Sequence, residues 1–265
     1  PRNEVVMEKS RELEKHSLSS SEPTFECDAS AKTLAAPHRQ LRMIGALVLH
    51  EIRYLAVNPS MIATIVVLII FTVLFTEFFH FFEWFSAPFL CQLAVCSIGG
   101  IGTVCILAEE RERGVEQTLL LSGMTRASIT TGKVIGCILV CEFICIICAF
   151  VIMRTVEQTA QVAFLMLFTI IPISFVSVAI GMRLNDQQRA SSCGSRLLFC
   201  GVITASMNTV AGISPWMLPT GAAPELIDVF LFGNTTPVVS PTITIVVGIA
   251  YCLLALGILI KSARS

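Results

Sequence analysis

Runs of about 20 predominantly apolar residues recur six times along this chain, and that is the length a helix needs to cross the hydrocarbon core of a bilayer. Inside lipid each backbone N–H and C=O must find its partner within the protein, so such runs fold as helices. They fall near residues 61–79, 89–108, 134–153, 162–182, 197–216 and 243–260, in a chain that is 54% hydrophobic and 14% charged. The expected fold class is therefore an all-α polytopic membrane protein with six transmembrane helices. A net charge of −1 gives no general signal for nucleic acid. The eleven cysteines lie mostly inside apolar runs, which argues for free thiols rather than a disulfide framework.

The remaining residues organise around these runs. Residues 1–36 are rich in Ser, Glu and Lys, lack apolar periodicity and read as a disordered cytosolic tail. Residues 37–60 read as an interfacial helix. Leu41, Ile44, Val48, Ile52 and Leu55 follow helical spacing, while Arg39, Arg42, Glu51 and Arg53 lie mostly elsewhere on the wheel. Pro59 then disfavours helical geometry at Asn58. Residues 61–265 form the six-span domain. The link between the fifth and sixth runs is semi-apolar and proline-rich, with Glu225 and Asp228 expected at its surface.

Lysine and arginine placement orients the runs. Twelve of them fall in residues 37–60, the second-to-third link, the fourth-to-fifth link and the C-terminus, against Arg154 alone on the opposite side. That asymmetry places both termini in the cytosol, with the chain multi-pass in the cell membrane.

The second-to-third link carries the densest charge, with Glu109, Glu110, Arg111, Glu112 and Arg113 in consecutive positions. Its glycines divide it. Gly114 allows a bend after the helix end, and Gly123 can close a short helix holding Leu119, Leu120 and Leu121. Thr125 can cap the helix that follows.

This segment resembles the permease subunits of ABC type-2 exporters. Their pattern of acidic-x-acidic-basic-Gly, a Leu-Leu pair, a Ser or Thr, and Gly-Lys ahead of the third span is matched here by Glu110, Glu112, Arg113, Gly114, Leu119, Leu120, Ser122, Gly132 and Lys133. The stretch Leu49 to Pro59 resembles the basic elbow ending in Asn-Pro that precedes the first span in that family, and the likeness extends over residues 38–265. Two positions depart from the pattern. Val115-Glu116-Gln117 stands where the family has Thr-Leu-Glu, and Gly123 stands where it commonly has proline.

The resemblance implies an elbow helix, a coupling helix at about 110–124, and a homodimer or heterodimer of permeases bound to a separate cytosolic ATPase that holds the ATP and magnesium. The ATPase-coupling residues it implies are Glu110, Glu112, Arg113, Gly114, Glu116, Leu119, Leu120 and Ser122. No enzyme activity or cofactor is expected in this chain. An ion-coupled secondary carrier and a non-transporting anchor or assembly subunit are the alternatives.

Gly132-Lys133 is not a phosphate-binding loop, because Ala127 and Val134 stand where glycine and Ser or Thr are needed. An intramembrane protease of the Glu-Glu-x-x-x-Arg type is excluded by Gly114 at the arginine position. Glu142 falls near the middle of the third run, where an ionisable group marks a possible translocation path or a hydrogen-bonded packing residue. Cys137, Cys141, Cys145 and Cys148 share an arc of about 80° on that helix. Close helix packing explains them, and soft-metal binding is the alternative. Glu77, His80 and Glu83 read as a wet helix end.

Overall fold

The computed structural model describes residues 36–78, 83–210, 220–233 and 240–264. The expected tail over 1–35 and His80 lie outside the described residues. Residues 40–265 form one compact unit.

Among the described residues the chain is helical, without strands. The helices are α1 (Ala36–Val57), α2 (Pro59–Phe78), α3 (Glu83–Val95), a π-helical segment (Cys96–Gly102), α4 (Thr103–Glu112), α5 (Val115–Leu121), α6 (Arg126–Met153), α7 (Val156–Gly181), α8 (Gln187–Val210), α9 (Ala222–Phe232) and α10 (Pro241–Arg264). The rod formed by α3, the π-helical segment and α4 contains one membrane-length stretch, Phe85–Glu112. With Pro59–Phe78, Arg126–Met153, Val156–Gly181 and Pro241–Ala263, it makes five helices long and apolar enough to cross a membrane. The fifth expected run overlaps α8, whose first half is polar (Gln187, Gln188, Arg189, Ser191, Ser192); residues 211–216 lie outside the described residues.

Local chemistry accounts for the boundaries. Asn58 Oδ1 accepts from the Ser60 amide at 3.1 Å, and Pro59 occupies the first helical position, where no amide donor is needed. Gly114 is left-handed (φ +70) between α4 and α5. Gly123 (φ +90) closes α5, with its amide on the Leu120 carbonyl and the Met124 amide on the Leu119 carbonyl. Thr125 Oγ1 caps α6 by accepting from the Ser128 amide at 3.2 Å.

Buried apolar side chains from α2, α3, α6, α7 and α9 form the main core, with Leu90, Met166, Ile170 and Leu226 at most 1% exposed. Glycines set the closest helix contacts. A Cβ on Gly194 of α8 would lie 2.7 Å from the Ile101 backbone, and one on Gly201 would strike the Cys96 thiol. These two contacts run α8 antiparallel along the α3–α4 rod.

Contacts also gather the basic helix ends. Glu112 of α4 meets the start of α8, Lys133 near the start of α6 meets Glu110, and Arg183 after α7 donates to Ser262 near the end of α10 at 3.1 Å. At the opposite end Arg154 pairs with Glu77 at 2.8 Å.

Two sequence expectations are corrected. Glu225 and Asp228 are buried, because the short helix α9 packs against α7, α10 and α3 instead of lying on the surface. Helix α1 buries Glu51, which the wheel put outside its apolar face, while Leu41 and Leu49 are about two-thirds exposed. The side of α1 that meets α6 carries Leu47 and Glu51, while Arg42 and Arg53 stay exposed.

Candidate functional site

The charged segment folds into a joint between α1, α4, α6 and α8. Its centre is Lys133, one of two lysines in the described chain, 7% exposed in the second turn of α6. Its ammonium donates to Glu51 Oε1 of α1 at 3.3 Å and to Glu110 Oε2 of α4. Both carboxylates are buried.

Two glycines on α6 let α1 come this close. A Cβ on Gly132 would sit 2.7 Å from Leu47 Cδ2, and one on Gly136 would sit 3.0 Å from Glu51 Cβ. Gly132 and Gly136 stand one turn apart, as do Leu47 and Glu51, so a small-residue groove on one helix accepts a ridge on the other.

Two carboxylates share one ammonium. Burial pushes the Glu51 carboxyl above the usual carboxylate range; the Lys133 ammonium opposes the shift and the Glu110 charge adds to it. Carboxylate or imidazole atoms of His50, Glu51 and Glu110 lie within 4.8 Å of one another, a spacing that suits a divalent cation. Lys133 already neutralises that spot, so a metal there would have to displace it.

The other acids of the run are also engaged. Glu109 pairs with Arg113 at 2.5 Å and accepts from the Tyr54 hydroxyl at 3.2 Å. Burial, and then the Glu109 charge, raises the Tyr54 phenol above its ordinary range. Glu112 Oε1 accepts from the Gln187 amide at 2.9 Å, satisfying an otherwise free donor at the start of α8. Gln40 completes the joint. Its amide donates to the Gly123 carbonyl at 3.4 Å and accepts from Ser128 Oγ at 2.8 Å, tying α1 to the turn after α5.

The residues expected to contact an ATPase are thus divided between internal joints and an outer face. Glu110 is buried in the ion cluster, while Glu112 and Arg113 are exposed yet bonded within the chain. Leu119 and Leu120 turn inward onto Leu47, Met124 and Ile129. Glu116 is half-buried, and Gly114 and Ser122 bracket the helix. The outward face carries Gln117, Thr118, Ser122 and Leu121, the last 89% exposed. The short helix is Val115–Leu121, inside the expected 110–124. Glu51, Tyr54, Gln40 and Gly136 escaped the sequence reading as site residues. Glu51 was legible only as a carboxylate on an otherwise basic helix, one turn from a position facing the third run.

An open cleft of about 1070 Å³ adjoins the joint, between the start of α2, the π-helical segment and the start of α8. Tyr54, Asn58, Ser97, Glu109, Arg113 and Gln187 give it a polar lining. A π-helical insertion displaces side chains from ordinary helical register, and such segments concentrate at functional sites.

Within the membrane-length helices, Glu142 is half-buried on α6, at the edge of the face that also exposes Leu139 and Phe143. Its Oε2 is buried without a hydrogen-bond partner among the described residues. Comparison of the chain with protein-family models and with curated proteins gives no match.

Proposed function

We propose that this chain is the transmembrane permease subunit of an ABC type-2 exporter, moving a substrate out across the cell membrane with ATP hydrolysed by a separate cytosolic subunit. The observation that carries the reading is the short helix Val115–Leu121, closed by left-handed glycines, presenting Leu121 to solvent and joined on both sides to membrane-length helices. Leu121, 89% exposed, is the most exposed large apolar side chain among the described residues. Glu110, bonded to Lys133, ties the coupling segment to the elbow helix α1 and the third span, so a push on α5 is passed to both.

In this reading α8 is the fifth of six spans. Its 24 residues extend about 36 Å, and it runs antiparallel to the α3–α4 rod. An even number of spans agrees with the basic ends of α4, α6, α7 and α10 meeting at one end of the bundle. The positive-inside asymmetry makes that end cytosolic, with both termini there. Two copies, or this chain with a second permease, assemble around the substrate path.

The test is co-purification with a cytosolic ABC ATPase, followed by vanadate-sensitive transport in vesicles. Leu121→Asp changes no buried contact, so it should insert and fold normally yet lose both ATPase capture and transport. Normal capture and transport by Leu121→Asp would remove the coupling assignment. Glu142 favours a second reading, an ion-coupled carrier, because its Oε2 is buried without a partner among the described residues. Transport insensitive to vanadate but abolished by Glu142→Gln would select that reading.

A further inference from the structure

The open cleft of about 1070 Å³ has a floor made by the π-helical segment and α4, and walls made by the starts of α2 and α8. Both walls are pinned to the floor at neighbouring positions. A Cβ on Gly102 would lie 2.7 Å from Met61 Cε of α2, and one on Gly194 of α8 would lie 2.7 Å from the Ile101 backbone. The two walls thus rest on the rod, and the space between them follows it from Ser97 to Arg113, a distance of about 20 Å. Nearly all of that floor belongs to the membrane-length stretch Phe85–Glu112.

Polarity changes along the cleft. Glu109, Arg113, Gln187 and Gln188 line one end, and Met61, Ile101 and Ile106 line the middle. Thr64 and Ser97 lie toward the other end, but their hydroxyls are spent on their own helices. Thr64 Oγ1 donates to the Ser60 carbonyl at 2.9 Å and Ser97 Oγ to the Leu93 carbonyl at 2.7 Å. That part of the cleft therefore offers mainly carbon surface. The charged end differs. Arg113 is exposed and commits only Nη2, to Glu109, among the described residues. The rest of its guanidinium can donate to a ligand, as can the exposed side-chain amides of Gln187 and Gln188.

This arrangement selects a ligand by shape and charge. A long cleft that is polar at one end and apolar beyond, lying along a membrane-length helix, fits an amphiphile with its head at Arg113 and its chain over Ile106, Ile101 and Met61. The head must also suit two opposite charges. A purely anionic head on Arg113 would face the Glu109 carboxylate, 2.5 Å from that guanidinium, and a purely cationic head on Glu109 would face Arg113. A zwitterionic head satisfies both. Its phosphate accepts from Arg113 while its ammonium donates to Glu109, and the exposed pair they loosen is weak by itself.

We propose that the cleft between α2, α8 and the rod is a binding site for a zwitterionic phospholipid, its head held by Glu109 and Arg113 and one acyl chain lying on Met61, Ile101 and Ile106. The proposal does not depend on ATPase coupling, which Leu121→Asp tests on a different surface.

The test uses the full chain, purified in a maltoside detergent and titrated with lysophosphatidylethanolamine or lysophosphatidylglycerol, with adducts counted by native mass spectrometry. One saturable lysophosphatidylethanolamine per chain is expected, bound about fivefold or more tightly than the anionic lysophosphatidylglycerol. Thr64→Trp and Ser97→Trp, which fill the cleft from different helices, should each weaken binding about tenfold. Leu139→Trp, on the exposed face of α6, should leave it unchanged. Glu109→Gln with Arg113→Gln should abolish the preference between heads. Each variant is checked for helix content and monodispersity, and the double charge variant carries the test if the tryptophans misfold. Equal binding of the two lipids by the native chain would overturn the proposal. So would undiminished binding in well-folded tryptophan variants, or an unchanged preference in the double charge variant.

Discussion

Replacing Lys133 by methionine should convert the joint from a near-neutral cluster into two facing buried carboxylates. The side chains of Lys133, Glu51 and Glu110 are each less than a tenth exposed, so water cannot compensate for the missing ammonium. The folded protein can keep the site only by protonating the carboxyls. Holding one carboxyl neutral costs about 1.4 kcal/mol per pH unit above an unfolded-state value of about 4.3. That comes to about 4 kcal/mol at pH 7.5 and about 1 kcal/mol at pH 5, and it agrees with the roughly 3–5 kcal/mol measured when one partner of a buried ion pair is removed.

The pH dependence has a definite sign. With Lys133 gone, nothing offsets the burial that already raises the Glu51 carboxyl. Its stability contribution is therefore fully present below about pH 4.3 and is lost as pH rises through the folded value. Glu51 already leans in this direction in the native chain, because burial outweighs the Lys133 attraction. Glu51→Gln, by contrast, leaves Lys133 and Glu110 as a balanced pair and should change stability by less than about 1 kcal/mol. The assay is the fraction of monodisperse protein surviving a heat step, read by size-exclusion chromatography across pH. Lys133→Met should lose about 10 °C of midpoint at pH 7.5 and recover most of it at pH 5, while Glu51→Gln stays near the native value. A Lys133→Met protein as stable as the native chain at pH 7.5, or equally impaired at both pH values, would refute the reasoning.

Further expectations use the same heat-step assay. Gly194→Ala places a methyl 2.7 Å from the Ile101 backbone and should cost about 1–3 kcal/mol; Gly45→Ala, on a stretch of α1 with nothing within 4 Å, should be neutral or slightly stabilising. Thr125→Ala removes the oxygen that accepts the Ser128 amide and should cost about 1 kcal/mol, with Thr125→Ser recovering most of it. Tyr54→Phe leaves Glu109 with Arg113 and should lose about 1 kcal/mol or less.

The parts of this fold that were readable from sequence are those governed by one dominant force. Five apolar runs became membrane-length helices because lipid or core burial rewards the same residues. The bend at Gly114, the closure at Gly123 and the cap at Thr125 were readable because each rests on local backbone chemistry. What failed to show were features set by relations between helices. The wheel of α1 grouped Leu41, Ile44, Val48 and Ile52, but the side that meets α6 carries Leu47 and Glu51, which only the neighbouring helix decides. Glu51 was therefore read as a polar-face residue, although it is buried against Lys133. Glu225 and Asp228 were misplaced for a related reason: a proline-rich link with two acids looks like surface, but the short helix α9 tucks between spans.

The division of labour among the acids changes what the charged segment can do. Read as a string, Glu109, Glu110 and Glu112 are three equivalent partners for a basic surface. In the fold each holds a different helix: Glu109 reaches Tyr54 of α1, Glu110 reaches Lys133 of α6, and Glu112 caps α8. A partner that bound these acids would have to break the joint to do so. A partner that gripped Leu121 and its neighbours would leave the joint intact and move it as a block. Force applied at α5 then reaches α1 and α6 through Lys133, and α8 through Glu112, without any side chain being released. This argues that specificity for the proposed ATPase resides on the outward face of α5, and that the acidic run serves transmission. Charge reversal at Glu112 should accordingly weaken the start of α8 more than it weakens partner binding, and limited proteolysis at 183–190 alongside a capture assay separates the two effects. Lost capture with unchanged proteolysis would instead place Glu112 in the partner's footprint.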